Sequence, residues 1–379
     1  MTLLRKTSFA YRRLFFIVSM VMVLLWPVPY RAHAQELKTG FDKQEYLDML
    51  RIVSSLADTL KPGPDYLESP AGYLRVYRSP ELGLRNRWDL WLREDTSAMV
   101  ISIRGTVNDG ASWLENFYSV MLPAQGSIRL NDSTLFDYHF ADNQRATVHA
   151  GWTIGIASMA PGIIEKIEEQ YENNVRNIYV VGHSQGGALA FLLNSLLRYK
   201  IKHGELPSDL KIKTYCSAAP KPGNLYYAYD FDFINRGGWA FTVVNASDWV
   251  PETPFSLQAL DDFNHLNPFT DAYAAINKQK SFLVRLYLKH AYKKLDRSSK
   301  KSRKNFKKYL GKDLYKQIHK LLPEMEEPTY AESMNYMRAG TPIVLQPDEE
   351  YYKLYPDTGH NVFVHHALKP YAYLVEKQY

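Results

Sequence analysis

The sequence predicts an α/β protein in which a mostly parallel sheet carries helices on both faces. Three observations lead there. Residues 99–103 (Met-Val-Ile-Ser-Ile) and 178–181 (Ile-Tyr-Val-Val) are short apolar runs, typical of strands buried on both faces. A tight turn, Gly182-His-Ser-Gln-Gly-Gly187, follows the second run and opens a helix to Lys200 that is apolar at Leu189, Leu192, Leu193, Leu196 and Leu197. Further strands at 212–217 and 240–245 keep strands alternating with helices. With 46% hydrophobic and 23% charged residues in 379, the chain has apolar content for a sizeable core, which excludes disorder, collagen-like repeats or a coiled coil as its main architecture. Its one cysteine, Cys216, rules out an intrachain disulfide and a cysteine-based metal cluster.

The N-terminal 34 residues stand apart. Arg5, Lys6, Arg12 and Arg13 precede an uncharged run of 13 residues, 14–26, and Ala32-His33-Ala34 has the small-x-small form of a cleavage site. A membrane-spanning helix needs about 20 apolar residues, so this reads as a signal peptide at 1–34, cleaved near Ala34. Export to a periplasm or to the outside follows. Residues 35–379 are then one domain.

Asp42, with Glu45 three residues on, forms a capping box that starts a helix running to about residue 60. Strands at 88–92 and 98–103 flank a turn at 93–96. A helix is expected at 154–170, with Pro161 marking an early break. From about 262 to 340 the pattern changes to a helical, Lys-rich segment, read as an insertion into the core domain. A last helix should begin near His366 and run to the C-terminus.

The net charge of +6 is unevenly spread. Five basic residues and no acids lie before Gln35, which leaves +1 for the rest. Residues 278–320 hold 16 Lys and Arg against Asp296 and Asp313, a net of +14, so the remainder of the mature chain is about −13. Phe282, Leu283, Leu286, Tyr287, Leu288, Tyr292, Phe306, Tyr309 and Leu310 are interleaved with this charge. That mix suits a helix seated on an anionic lipid surface, although the same residues would also pack on a core. No base-reading motif accompanies the charge, so no nucleic acid partner is expected.

Gly182-His183-Ser184-Gln185-Gly186 matches G-x-S-x-G between a strand and a helix. That context makes it a nucleophile elbow, with the Ser184 hydroxyl exposed on a strained turn at a helix N-terminus. A serine needs a base to take its proton, and on this fold the carboxylate and then the histidine follow it in the chain. Asp248, just past the strand ending at Asn245, lies at the sheet edge where ligands bind. Asp230, Asp232, Asp261 and Asp262 are rivals that follow no core strand so closely. For the base, His265, His290 and His319 belong to the insertion. His360, His365 and His366 remain, and their chemistry alone does not separate them.

These residues resemble the class 3 lipases, the fungal-lipase-like branch of the α/β-hydrolases. The stretch from Gly182 to Ala190 (GHSQGGALA) is similar to the family's GHSLGGALA, and Arg104-Gly-Thr106 to its RGT oxyanion loop. Val148-His-Ala-Gly-Trp152 resembles V-H-x-G-F, Ser217–Asn224 resembles G-x-P-R-V-G-N, and Val244–Pro251 resembles V-N-x-x-D-x-V-P. The resemblance puts the catalytic acid on Asp248. The terminal H-x-x-x-x-Y favours His366, with Tyr371 at its end. It implies an α/β-hydrolase fold without cofactor or metal. Ser184 would attack an acyl ester, His366 would shuttle the proton, and Asp248 would orient the imidazole. The backbone amides of Thr106 and Gln185 would hold the oxyanion, with the Thr106 hydroxyl as a third donor. His149 and His183 read as structural. The stretch 109–122 is either an amphipathic lid or a helix packed on the core. Gln185 for Leu, Trp152 for Phe and the long insertion depart from the family pattern. A lipase acting on glycerolipids is the leading expectation. An esterase for acylated carbohydrate or aromatic esters, and a non-catalytic lipid-surface binding protein, are the alternatives.

Overall fold

The computed structural model describes residues 37–56, 63 and 65–379, so the signal-peptide expectation lies outside the described residues. In chain order the first half contains α1 (Lys43–Ser54), β1 (Tyr73–Arg78), β2 (Trp88–Arg93), β3 (Ala98–Ile103), α2 (Gly110–Phe117), β4 (Met121–Pro123), β5 (Gln125–Asn131), β6 (Thr134–His139), β7 (Thr147–His149) and α3 (Ala150–Glu172). There follow β8 (Asn177–His183), α4 (Gln185–Lys202), β9 (Lys211–Ser217), β10 (Gly223–Asn224), α5 (Leu225–Ile234) and β11 (Ala240–Asn245). The last part holds α6 (Ala272–Asn277), α7 (Phe282–Phe306), a π-helical segment Lys307–Lys312, α8 (Asp313–Leu321), β12 (Tyr336–Met337), β13 (Thr341–Leu345), α9 (Glu349–Leu354) and α10 (Leu368–Gln378).

Seven strands form the central sheet in the order β1-β2-β3-β8-β9-β11-β13. The β1–β2 and β2–β3 pairs are antiparallel, and every pair from β3 to β13 is parallel. Alternate residues serve opposite faces, as the pleat demands. Met99, Ile101, Ile103, Ile178 and Val180 meet α3 and α4 on one side. Ala98, Val100, Tyr179, Val181 and Tyr215 meet α1 and α10 on the other. This is the α/β-hydrolase arrangement, with helices covering both faces of a mostly parallel sheet.

Several boundaries differ from the sequence reading. The α1 helix stops at Ser54, with a turn at 55–56, short of the expected extension. Only half of its capping box forms. Asp42 accepts the Glu45 amide at 2.9 Å, but the Glu45 carboxylate turns to the sheet. There it accepts the Tyr179 and Tyr215 hydroxyls at 2.9 and 2.8 Å and pairs with the fully buried Lys213. A buried ammonium strongly favours such a partner, so α1 is pinned across β8 and β9. The α3 helix starts at Ala150 and runs through Pro161, whose ring takes an exposed position. Strand β1, an edge strand only partly buried, carried no recognisable pattern.

The chain between β11 and its parallel neighbour β13 contains the whole Lys-rich segment. None of the α7 residues is buried. The chain is nonetheless tied down beyond the C-terminal end of α7. Gly311 packs on Val120, the Tyr330 and Tyr118 hydroxyls lie 2.9 Å apart, and Met334 clusters with Met121 and Tyr336.

Candidate active site

The site starts from the turn between β8 and α4. Ser184 has φ +61° and ψ −132°, a conformation costly for a residue with a Cβ. The turn closes tightly: a Cβ on Gly182 would come within 2.1 Å of the Gly186 backbone, and one on Gly186 within 2.2 Å of the Ile103 carbonyl. Gly105 passes beside it, where a Cβ would stand 2.9 Å from the His183 carbonyl. The 104–106 loop thus lies against the serine. The Gln185 amide belongs to the first turn of α4, where amides have no partner within the helix.

Asp248 and His366 come from different elements and meet. The loop after β11 carries Asp248, whose Oδ2 lies 2.7 Å from His366 Nδ1. The same oxygen accepts the Tyr371 hydroxyl at 2.8 Å, and Oδ1 accepts the Val250 amide at 3.0 Å. Burial opposes ionisation of Asp248, but His366 and these donors together hold its carboxyl below its usual range. Asp65 accepts the Leu368 and Lys369 amides at 2.8 and 2.9 Å, which fixes the chain just after His366. Ser184, His366, Gly105, Thr106 and Gln185 all line one cavity of about 1010 Å³.

The neighbouring histidine is differently engaged. His365 Nε2 lies 2.5 Å from Asp357 Oδ1 and its Nδ1 lies 2.7 Å from the Tyr351 hydroxyl, so both ring nitrogens are taken away from the cavity. His360 does not line the cavity either. The rival acids are occupied elsewhere: Asp230 with Tyr199, Asp232 with the Gly340 amide, Asp261 with Arg303 and Asp262 with Ser333. His183 is a structural link. Burial, and then the nearby His366, push its pKa down to about 3, so the ring is neutral. Its Nε2 lies 2.7 Å from the His366 carbonyl, which only accepts, so the proton sits on Nε2. Nδ1 then accepts from Ser217 Oγ at 3.0 Å, and Tyr46 donates to Ser217 at 2.7 Å. His149 is likewise buried and neutral, with its pKa lowered to about 3 by burial.

The Thr106 hydroxyl donates to Gln185 Oε1 at 2.9 Å, so its proton is spent within the protein. Asn116 Nδ2 donates to Thr106 Oγ1 at 2.8 Å, and Ser112 and Asn116 also reach Gln185 Oε1 at 3.2 and 3.3 Å. Sequence reasoning missed this cluster, because a carboxamide at 185 carries no signal until α2 is folded beside it. Glu115 completes it. It is fully buried, accepts Asn86 Nδ2 at 2.6 Å and is hydrogen-bonded to Gln185. Burial raises its pKa to about 8.

The α2 helix is therefore turned with its polar residues inward. Ser112 and Glu115 are its buried residues, whereas Trp113 and Phe117 line the cavity. Trp113 stacks on Phe117, and Phe363 links Trp113 to Trp249. The stretch 109–122, read as a lid or a packed helix, is held here as a cavity wall by the Gln185 cluster and by the pairing of β4 with β7. Phe255 and Leu310 extend the apolar lining, and Leu310 belongs to the Lys-rich segment.

Parts of the chain are similar to known lipases. A lipase of Caenorhabditis elegans is 36% identical over 85 residues, which cover 22% of each chain. A secreted mono- and diacylglycerol lipase of Malassezia globosa is 28% identical over 114 residues, 29% of this chain and 34% of that one. The chain thus spans about a third or less of the length of these curated relatives. Among solved structures, the Lip2 lipase of Yarrowia lipolytica aligns at 16% identity and a TM-score of 0.42, covering 58% of this chain and 78% of its own. The profile of the lipase (class 3) family matches residues 100–258, the stretch from β3 through the elbow to the loop after Asp248. That segment is similar to the class 3 lipase family.

Proposed function

We propose that the protein is an exported lipase that cleaves acyl esters of glycerolipids. In this reading Ser184 attacks the ester carbonyl and His366 Nε2 takes the serine proton, then returns it to the leaving alcohol. Asp248 holds the Nδ1 proton and stabilises the imidazolium. The Thr106 and Gln185 amides receive the oxyanion, each such donor being worth about 3 kcal/mol in the transition state. The single observation that supports the reading most is the 2.7 Å contact between His366 Nδ1 and Asp248, beside a serine on a strained elbow in the same cavity. Apolar lining by Trp113, Phe117, Phe255, Leu310 and Phe363 suits an acyl chain. The signal-like residues 1–34 and the secreted relative in Malassezia globosa support export, and that relative makes mono- and diacylglycerols the first substrates to try.

Docking on anionic lipid through α7 belongs to the same reading. Phe282, Leu283, Leu286 and Tyr287 are 66%, 74%, 57% and 70% exposed, too open to be core residues. At 100° per residue they share a face with Lys293, Lys294, Arg297, Lys301 and Lys304. Apolar residues thus occupy the first turns of one exposed face and cations the later turns, a form suited to an anionic interface. Leu310, a short way on, joins that helix to the cavity wall.

The test of the central reading is covalent labelling and turnover. A fluorophosphonate probe is expected on Ser184, and Ser184→Ala should lose both labelling and hydrolysis of emulsified mono- and diacylglycerols. Labelling at another residue with Ser184 left free would overturn it. Turnover of soluble aromatic or carbohydrate esters alone would move the substrate class without touching the mechanism.

A further inference from the structure

On the far side of α4 from the elbow, three side chains with metal-binding chemistry converge. His139 ends β6, Asp142 lies in the loop that follows, and His203 caps the C-terminal end of α4. One ligand atom from each lies within 4.8 Å of the other two. His139 Nε2 is 2.9 Å from Asp142 Oδ1, and the two imidazole rings stand 4.9 Å apart at 72°. All three are partly open to solvent, so an ion has a direct path in.

The arrangement is held from behind. The Asp142 amide donates to Tyr199 Oη at 3.0 Å and to Asp230 Oδ2 at 2.9 Å, and Tyr199 in turn donates to Asp230. The His139 ring rests on Tyr199 with centroids 4.3 Å apart. Glu205 Oε1 lies 3.9 Å from His203 Nδ1 on the outer side and adds negative charge there. Lys202 works against an ion, since its ammonium pairs with Asp142 Oδ2. That ammonium is more than half exposed on a flexible stem, and it leaves Oδ1 facing His139 Nε2.

We propose that His139, Asp142 and His203 form a surface site for zinc or a similar divalent transition ion, which clips the end of the β5–β6 hairpin to the C-terminal end of α4. Two imidazoles and one carboxylate are a zinc-type donor set with a fourth position left for water. Calcium and magnesium prefer all-oxygen shells and fit it poorly. The site lies at the opposite end of α4 from Ser184, so the bound ion acts on the rigidity of that helix and takes no part in ester cleavage. Because the three residues converge only when β6 and α4 are packed together, binding is linked to folding and raises the unfolding temperature.

The experiment is calorimetric titration of tag-free, chelator-treated full-length protein with zinc chloride, with calcium and magnesium chlorides alongside. One zinc per chain is expected, with no binding of the other two. His139→Ala and His203→Ala should each weaken zinc binding at least tenfold and abolish the zinc-dependent rise in melting temperature. His265→Ala should leave both unchanged. Lys202→Ala keeps all three ligands and removes the competing ammonium, so it should bind zinc more tightly than the native protein. Absence of zinc binding by the native chain, or binding undiminished in both histidine variants, overturns the proposal. Zinc binding lost in Lys202→Ala also overturns it.

Discussion

Tyr371 and His366 meet on a single oxygen of Asp248, the tyrosine hydroxyl at 2.8 Å and the imidazole Nδ1 at 2.7 Å. The terminal H-x-x-x-x-Y spacing thereby acquires a physical meaning. The histidine precedes α10, the tyrosine sits in its first turn, and both return to the same carboxylate. Oδ2 is shared, so its position relative to the imidazole is set by two donors.

Tyr371→Phe keeps the ring in its buried position and removes one charge-assisted hydrogen bond, worth about 1.5–3 kcal/mol. Steady-state kinetics on a soluble ester should show kcat reduced about tenfold or more, with KM close to native. A fall confined to KM would separate Tyr371 from the orientation of Asp248.

Alanine scanning of the adjacent histidines should split sharply. His366→Ala is expected to lower kcat by several orders of magnitude, as loss of a triad base does. His365→Ala breaks contacts with Asp357 and Tyr351 outside the cavity, so its effect should appear in thermal stability, with kcat within about tenfold of native. The reverse ranking would move the base by one position.

Glu115 makes stability depend on pH in a defined window. Its pKa is about 8 in the fold against an ordinary 4.5, with only the neutral Asn86 and Gln185 as hydrogen-bond partners. Between those values the unfolded chain has released a proton that the folded chain retains. Stability from this group is therefore fully present below about pH 4.5 and falls as pH rises, by about 1.4 kcal/mol per unit, levelling off near 8. Urea unfolding of Glu115→Gln and native protein from pH 5 to 8 should give a difference that grows with pH in the variant's favour. Parallel curves would mean that Glu115 does not titrate in this range.

Lipid affinity that depends on charge is expected from α7. Co-sedimentation should rise with anionic lipid content and fall as salt approaches molar concentrations. Changing Lys293, Lys294, Lys301 and Lys304 to Gln should weaken it, each cation being worth about 1 kcal/mol near such a surface. Arg303 is a poor choice for this test, since it is half-buried and already paired with Asp261 at 2.8 Å. Equal binding to neutral and anionic vesicles, indifferent to salt, would remove the membrane role.

Local rules carried the elements around the elbow. The apolar runs of β3, β8, β9 and β11 and the Gly-rich turn into α4 are legible because each depends on neighbours within a few residues. Asp248 was legible for a related reason: it follows a recognisable strand end. Folding over long sequence separations accounts for the rest. His360, His365 and His366 are chemically alike, and only the return of the chain across the sheet brings one of them to Asp248, 118 residues away. The same holds for Gln185, Glu115 and Asn116, whose cluster exists because α2 folds beside the elbow, and for Glu45, which leaves its helix cap to neutralise Lys213. Phe282, Leu283, Leu286 and Tyr287 at the start of α7 carry the pattern of a packed helix, yet they remain exposed because no described element of the core reaches that face. Periodicity marks which side of a helix is apolar, whereas what covers that side depends on the position of every other segment.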